Sequence, residues 1–226
     1  MKRIKALVKF LLPLMVINFI AYVRNGGNVR LFEKIATDGS KPMEMVDGYF
    51  TKFDSPETKE MFEKVITVIK GCVVVAPTNI LDVGCGTGRY LKSLRDSFNE
   101  AQLYGVDASY ATIMNYTKKL EGIKSAQWDL KCGRSPFGEV AFDFVISITV
   151  LQYITVFRIG RFIRTIYGLM KPSGVFFLHF PQSNSSSFFG LISNLNYTRY
   201  PPSFVCAVLK RSGFEVIKEG YIDSKR

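Results

Sequence analysis

Histidine and tryptophan are nearly absent from this chain of 226 residues, with one of each. His179 is therefore the sole candidate for any imidazole chemistry. Cysteine is sparse, and Cys72, Cys85, Cys132 and Cys206 are too far apart for the paired spacing of a zinc site. They are also too few for a small secreted scaffold held by disulfides, so reduced thiols in a reducing, cytoplasmic compartment are expected. Three Asn-x-Ser/Thr triplets, at Asn115, Asn184 and Asn196, are read as chance. No internal repeat is visible, and nothing in the composition, 47% apolar, suggests disorder.

Acidic side chains are also scarce: 19 Asp and Glu stand against 30 Lys and Arg, a net charge of +11. The imbalance is local. Residues 1–70 carry twelve basic groups against eight acidic, 71–150 eight against eight, and 151–226 ten against three. Basic ends favour phospholipid, nucleic acid or a phosphorylated metabolite, or simply keep an enzyme soluble.

An uninterrupted membrane-length apolar run is missing as well. Between Ala6 and Val23 the sequence is apolar except for Lys9, Pro13 and Asn18. At 18 residues this is marginal for a span, and no small-x-small cleavage site follows before Arg24. Ile4, Leu7, Val8 and Leu11 share one helical face opposite Lys2, Lys5 and Lys9, a pattern that suits an interfacial helix. Three readings stay open: a lid packed on the domain, peripheral membrane contact through residues 1–23, and a true span. Residues 1–40 are read as a basic, apolar extension, and residues 41–226 as one domain, a length that buries its own core.

What is present from residue 55 onward is regular. Ser55, Pro56 and Glu57 form a helix start, and Val65, Ile66 and Ile69 continue an apolar stripe that Gly71 should stop. Short apolar strands are expected at 79–83, 102–107, 125–129, 142–147 and 175–180, with a sixth at 214–222. Helices are expected at 89–98, 110–120, 156–170 and 202–211, and a turn at 171–174. Strands alternating with helices predict an α/β, Rossmann-like, mostly parallel sheet with helices on both faces, three layers in all.

In such sheets ligands bind beyond the carboxyl ends of the strands. The first strand leads into Gly84-Cys85-Gly86-Thr87-Gly88, a turn that needs positive φ and lets a ligand approach the backbone. The N–H groups opening the next helix favour an anionic group. Asp107 closes the second strand, where a carboxylate can accept from a ribose diol. Asp129, expected to close the third, could accept from the amine of a base. An adenosine with an anionic or zwitterionic tail fits this set.

The stretch Ile80-Leu81-Asp82-Val83-Gly84-Cys85-Gly86-Thr87-Gly88 resembles motif I of the class I S-adenosylmethionine-dependent methyltransferases. Tyr104-Gly105-Val106-Asp107-Ala108-Ser109 resembles their acidic second-strand motif. Asp129, Pro136-Phe137 and Phe142-Asp143-Phe144-Val145-Ile146-Ser147 resemble the next two, and residues 169–175 the approach to strand five. The likeness runs in order over roughly residues 45–222. It implies S-adenosylmethionine as cofactor. Gly84, Gly86 and Gly88 would border its methionine part, Asp82 its amino end, and Asp107, with Ala108 and Ser109, its ribose. Asp129, flanked by Trp128 and Leu130, would meet the adenine, and Ser147 would open the loop facing the methyl group. Trp128 reads better as core than as a stacking partner, and Asp143 as structural.

The resemblance implies methyl transfer to a small-molecule or lipid-like acceptor. RNA or protein methylation through the basic C-terminal third, and cofactor binding without catalysis, are the alternatives. The Asn/Asp-Pro-Pro-aromatic motif of adenine amino-methyltransferases is replaced by Ser147-Ile148-Thr149-Val150, which weakens that one nucleic-acid reading and leaves other RNA methylation open. Gln152 and Tyr153 are candidates to face the acceptor, His179 for a general base, and Tyr49 to fold over the cofactor. Arg158, Arg161 and Arg164 follow helical spacing and read best as a solvated face. The family usually ends in a strand pair, and here two readings stay open: the last antiparallel strand is missing, which would leave an open edge, or part of the tail serves differently.

Overall fold

The computed structural model describes Glu33, Ala36, Thr37 and residues 56–130, 134–182 and 198–222. The apolar run of residues 6–23, Ser55 and Tyr49 lie outside the described residues. Five strands form one sheet: β1 (Asn79–Val83), β2 (Gln102–Asp107), β3 (Ile123–Gln127), β4 (Phe142–Ile148) and β5 (Met170–His179). All four pairings are parallel, in the order β3-β2-β1-β4-β5. The helices are α1 (Pro56–Cys72), α2 (Arg89–Ser97), α3 (Tyr110–Asn115), α4 (Ile159–Tyr167) and α5 (Pro202–Arg211).

Both faces of the central strands are buried, which is why they read as continuous apolar runs. Ile80, Phe144, Ile146 and Ile148 pack with Val65, Ile66 and Ile69 of α1, Leu91 and Leu94 of α2, and Ile113 of α3. Leu81, Val83 and Val145 pack with Ile159, Phe162, Ile163 and Ile166 of α4 and Val205 of α5. Each such side chain contributes about 1.5–3 kcal/mol on burial. The expected three layers are thus present. Among the described residues no helix is long and apolar enough to cross a membrane.

Asp143 ties the lower rim together. It accepts from Thr78 N (3.1 Å), Thr78 Oγ1 (2.7 Å) and Asn79 N (2.8 Å) at the start of β1, and from Lys171 Nζ (2.8 Å) on β5. These donors hold its carboxyl at about 2, against an opposing effect of burial. The structural reading of Asp143 stands.

Four sequence expectations need correction. β3 covers Ile123–Gln127 rather than 125–129, so Asp129 lies two residues past the strand end. Residues 171–174 are not a free turn: they sit inside β5 as an irregularity, where Phe142 pairs with Met170 and Phe144 already with Val175. A Pro and a Gly suggest a turn locally, but the neighbouring strand absorbs the extra residues as a bulge. α1 runs past Gly71 to Cys72. Residues 214–222 form no strand among the described residues. Alternation licenses a strand, yet a strand exists only where a ladder forms. Phe214 instead sets its ring against Tyr167 (5.1 Å) and Phe176 (5.5 Å), on the flank of the sheet.

Candidate active site

The strand order reverses between β1 and β4, and a cavity of about 1760 Å³ opens beyond their carboxyl ends and continues along β5 past α5 and residues 214–222. Asp82, Gly84, Gly86, Asp107, Ala108, Trp128, Asp129, Leu130, Gln152, Tyr153 and His179 all line it. Eleven of the fourteen residues singled out from sequence therefore share one cavity. Gly88, Ser109 and Ser147 do not reach its wall.

The glycine turn is held from behind. Gly84 N and Cys85 N both donate to Val106 O, at 2.7 and 3.0 Å. Thr117 Oγ1 donates to Gly86 O at 2.6 Å. Gly86, at φ +52°, has open space where a side chain would be, so a ligand can lie directly on its backbone. Gly84, at φ +78°, is excluded from carrying a side chain by Val150.

Asp107 is braced by two backbone amides. Gly86 N donates to Oδ2 (3.0 Å) and Ser109 N to Oδ1 (2.9 Å). Burial raises its pKa and these bonds counter that, while the Glu33 carboxylate nearby raises it further. An ionised carboxylate has about four acceptor sites, so lone pairs remain for a diol. Ser109 serves the fold: its Oγ caps α3 by accepting from Thr112 N (3.1 Å). Ser147 is fully buried and donates from Oγ to Val83 O (3.1 Å), locking β4 to β1.

Asp82 is the least satisfied group. It is 1% exposed, and its Oδ2 has no hydrogen-bond partner. Desolvation, then the Asp107 charge, push its pKa up to about 8, with Arg89 pulling the other way. A buried carboxyl without a partner is costly, and here it faces the cleft beside the glycine turn. Trp128 is buried against Leu81, Val83 and Tyr104 and contributes to the cleft wall as well. Arg158, Arg161 and Arg164 are all exposed, as a solvated face requires.

Sequence reasoning missed four contributors. Thr117 had no local signal, since its contact with Gly86 spans 31 positions. Thr149 and Val150 lie in the loop already singled out, but nothing in the sequence announces that Thr149 takes φ +58°. Such a conformation is rare for a β-branched residue and clusters at functional sites. Glu33, upstream of the domain core, accepts from the N–H groups of Tyr110 and Ala111 at the start of α3.

Comparison with known proteins agrees with this geometry. Residues 81–176 match a family model described as a methyltransferase domain. The chain is 29% identical over 134 residues to trans-aconitate 2-methyltransferase of Acidovorax sp. (strain JS42), covering 59% of this chain and 48% of that protein. It is 31% identical over 103 residues to malonyl-[acyl-carrier protein] O-methyltransferase of Legionella pneumophila, covering 44% and 35%. The chain thus spans about half the length, or less, of these curated relatives. The solved structure of Haemonchus contortus phosphoethanolamine N-methyltransferase 2 with S-adenosyl-L-methionine superposes with a TM-score of 0.58. It shares 19% identity, covering 81% of this chain and 44% of that one, a likeness of fold.

Proposed function

We propose that this chain, which carries a class I methyltransferase domain, transfers a methyl group from S-adenosylmethionine to a small-molecule acceptor. The observation that carries the reading is the pair of carboxyl groups at the switch point, Asp82 buried and Asp107 half-buried. Asp82 has an orphaned oxygen beside the glycine turn, and Asp107 has lone pairs left after two amide bonds.

The residues present fit the cofactor. The unpartnered Asp82 oxygen suits an ammonium, and the open backbone at Gly86 suits an amino-acid tail. Asp107 would accept from the ribose hydroxyls. Trp128, Asp129 and Leu130 would border the base. When bound, the cofactor supplies a methyl group already activated on a sulfonium. The protein's task is then alignment and exclusion of water. The loop Thr149–Tyr153 stands over the turn and, with the carboxyl end of β5, encloses the space where the acceptor would approach. Relatives named for trans-aconitate support a metabolite-sized acceptor.

Calorimetry with S-adenosylhomocysteine tests the cofactor assignment, and labelled-methyl transfer into separated metabolite, lipid, RNA and protein fractions tests the acceptor class. Binding with label in the metabolite fraction is expected. Absence of heat on folded protein rejects the methyltransferase reading, and label confined to RNA or protein rejects the small acceptor.

A further inference from the structure

Two buried polar atoms in the acceptor half of the cleft have no partner. Gln152 is 5% exposed, and its Oε1 makes no hydrogen bond. The His179 ring is largely buried, and its Nδ1 makes none either. The two residues come from elements that meet. Ile148 pairs with His179 across β4 and β5, and Thr149 N donates to His179 O at 2.9 Å. Three residues on, Gln152 is anchored by its own carbonyl, which accepts from Thr198 N at 2.7 Å. Both side chains line the cleft that holds Asp82, Gly84 and Asp107.

Each orphaned buried polar atom costs about 1–3 kcal/mol, and native structures rarely keep such atoms without reason. Of the five such atoms among the described residues, these two and Asp82 Oδ2 belong to residues that line one cavity, which points to a ligand that completes them. The amide oxygen can only accept. Burial lowers the imidazole pKa below its ordinary value, so the ring is neutral at pH 7 with one nitrogen as acceptor. A ligand that satisfies this pair must bring hydrogens. An ionised carboxylate brings none and would leave Gln152 Oε1 unmatched.

We infer that the acceptor's attacking group is a neutral amine with two hydrogens, one donated to Gln152 Oε1 and the other, departing as a proton, received by His179 Nδ1. This rests on the methyltransferase reading. The lone pair of the attacking nitrogen forms the new bond to the methyl carbon. The electron pair of the broken carbon–sulfur bond stays on sulfur. The proton passes to His179 and then to solvent.

Because His179 is the only histidine, its ring signals in the full-length chain need no assignment by mutation. Long-range nitrogen–proton correlation at pH 7, with and without S-adenosylhomocysteine, should show a neutral ring protonated on Nε2. A charged ring, or one protonated on Nδ1, overturns the assignment whatever the activity. In transfer assays the labelled product should survive mild base and carry the label on nitrogen, as a methylamine does. Release of label as methanol marks a carboxylate ester and overturns the inference, as does label carried as a methyl ether, or heat with S-adenosylhomocysteine but no label in any amine-bearing fraction. His179→Gln should lower kcat by roughly a hundredfold or more, and Gln152→Leu should raise the acceptor KM by about tenfold. Both should keep wild-type affinity for S-adenosylhomocysteine. No heat with wild-type protein, by contrast, rejects the underlying methyltransferase reading itself.

Discussion

Val150 occupies the space that a side chain on Gly84 would need: a Cβ there would meet Val150 Cγ2 at 2.2 Å. The turn after β1 and the loop after β4 are therefore fitted to each other, one on the side proposed for the cofactor and one on the side proposed for the acceptor. The strained φ of Thr149, +58°, is the conformation that leads into Val150.

Replacing Gly84 by Ala should separate the two loops. The new methyl needs both a forbidden φ and a displaced Val150, so a stability loss of about 1–3 kcal/mol is expected. Affinity for S-adenosylhomocysteine should fall as well. Denaturant unfolding and calorimetry on the same preparation check both. Wild-type values in both would show that the contact carries no weight.

Asp107→Ala removes the acceptor of Gly86 N and Ser109 N together with the proposed diol contact. Affinity for S-adenosylhomocysteine should drop at least about tenfold, close to 1.4 kcal/mol. The 2′-deoxy analogue should distinguish wild type from variant: it binds more weakly to the former and equally to the latter.

Asp82 predicts a pH dependence with a definite sign. Its carboxyl in the ligand-free protein titrates at about 8, so it is protonated at pH 7. An ammonium placed beside it favours the carboxylate, so binding releases a proton and affinity rises with pH until about 8. Asp82→Asn should flatten that slope. Calorimetry in two buffers of different ionisation enthalpy counts the proton directly. The same raised value means that the group stabilises the ligand-free fold most below the ordinary Asp range. That contribution is lost as pH climbs through about 8.

Asp143 has the opposite sign. Its carboxyl is held at about 2, so its contribution is present above the ordinary Asp range and disappears as pH falls through about 2. Asp143→Ala strands Thr78 N, Asn79 N and Lys171 at the rim. The cost should be about 1–3 kcal/mol, with cofactor affinity retained because the rim lies at the other end of the strands. Thermal unfolding from pH 3 to pH 7 checks it: the gap between wild type and variant should narrow toward acid.

Much of the site was legible because its requirements are local. Gly84 and Gly86 adopt positive φ within a single turn, and Asp107 is the last residue of its strand, so neighbouring residues reveal both. Ser109 and Ser147 show the limit of carrying roles over by position. Each stands beside the cleft, yet its hydroxyl serves a helix cap or a strand tie. Which way a small polar side chain turns depends on the partner that folding brings to it.

The alternation of apolar strands with amphipathic helices, and the glycine turn between two acidic strand ends, were determined by sequence alone. Burial on both faces demands continuous apolar runs, and a left-handed turn demands glycine. Tertiary structure alone decided that residues 214–222 stay out of the sheet and that residues 171–174 bulge within β5. Each of those depends on which distant backbone comes within hydrogen-bonding reach, and no local pattern of residues encodes that distance.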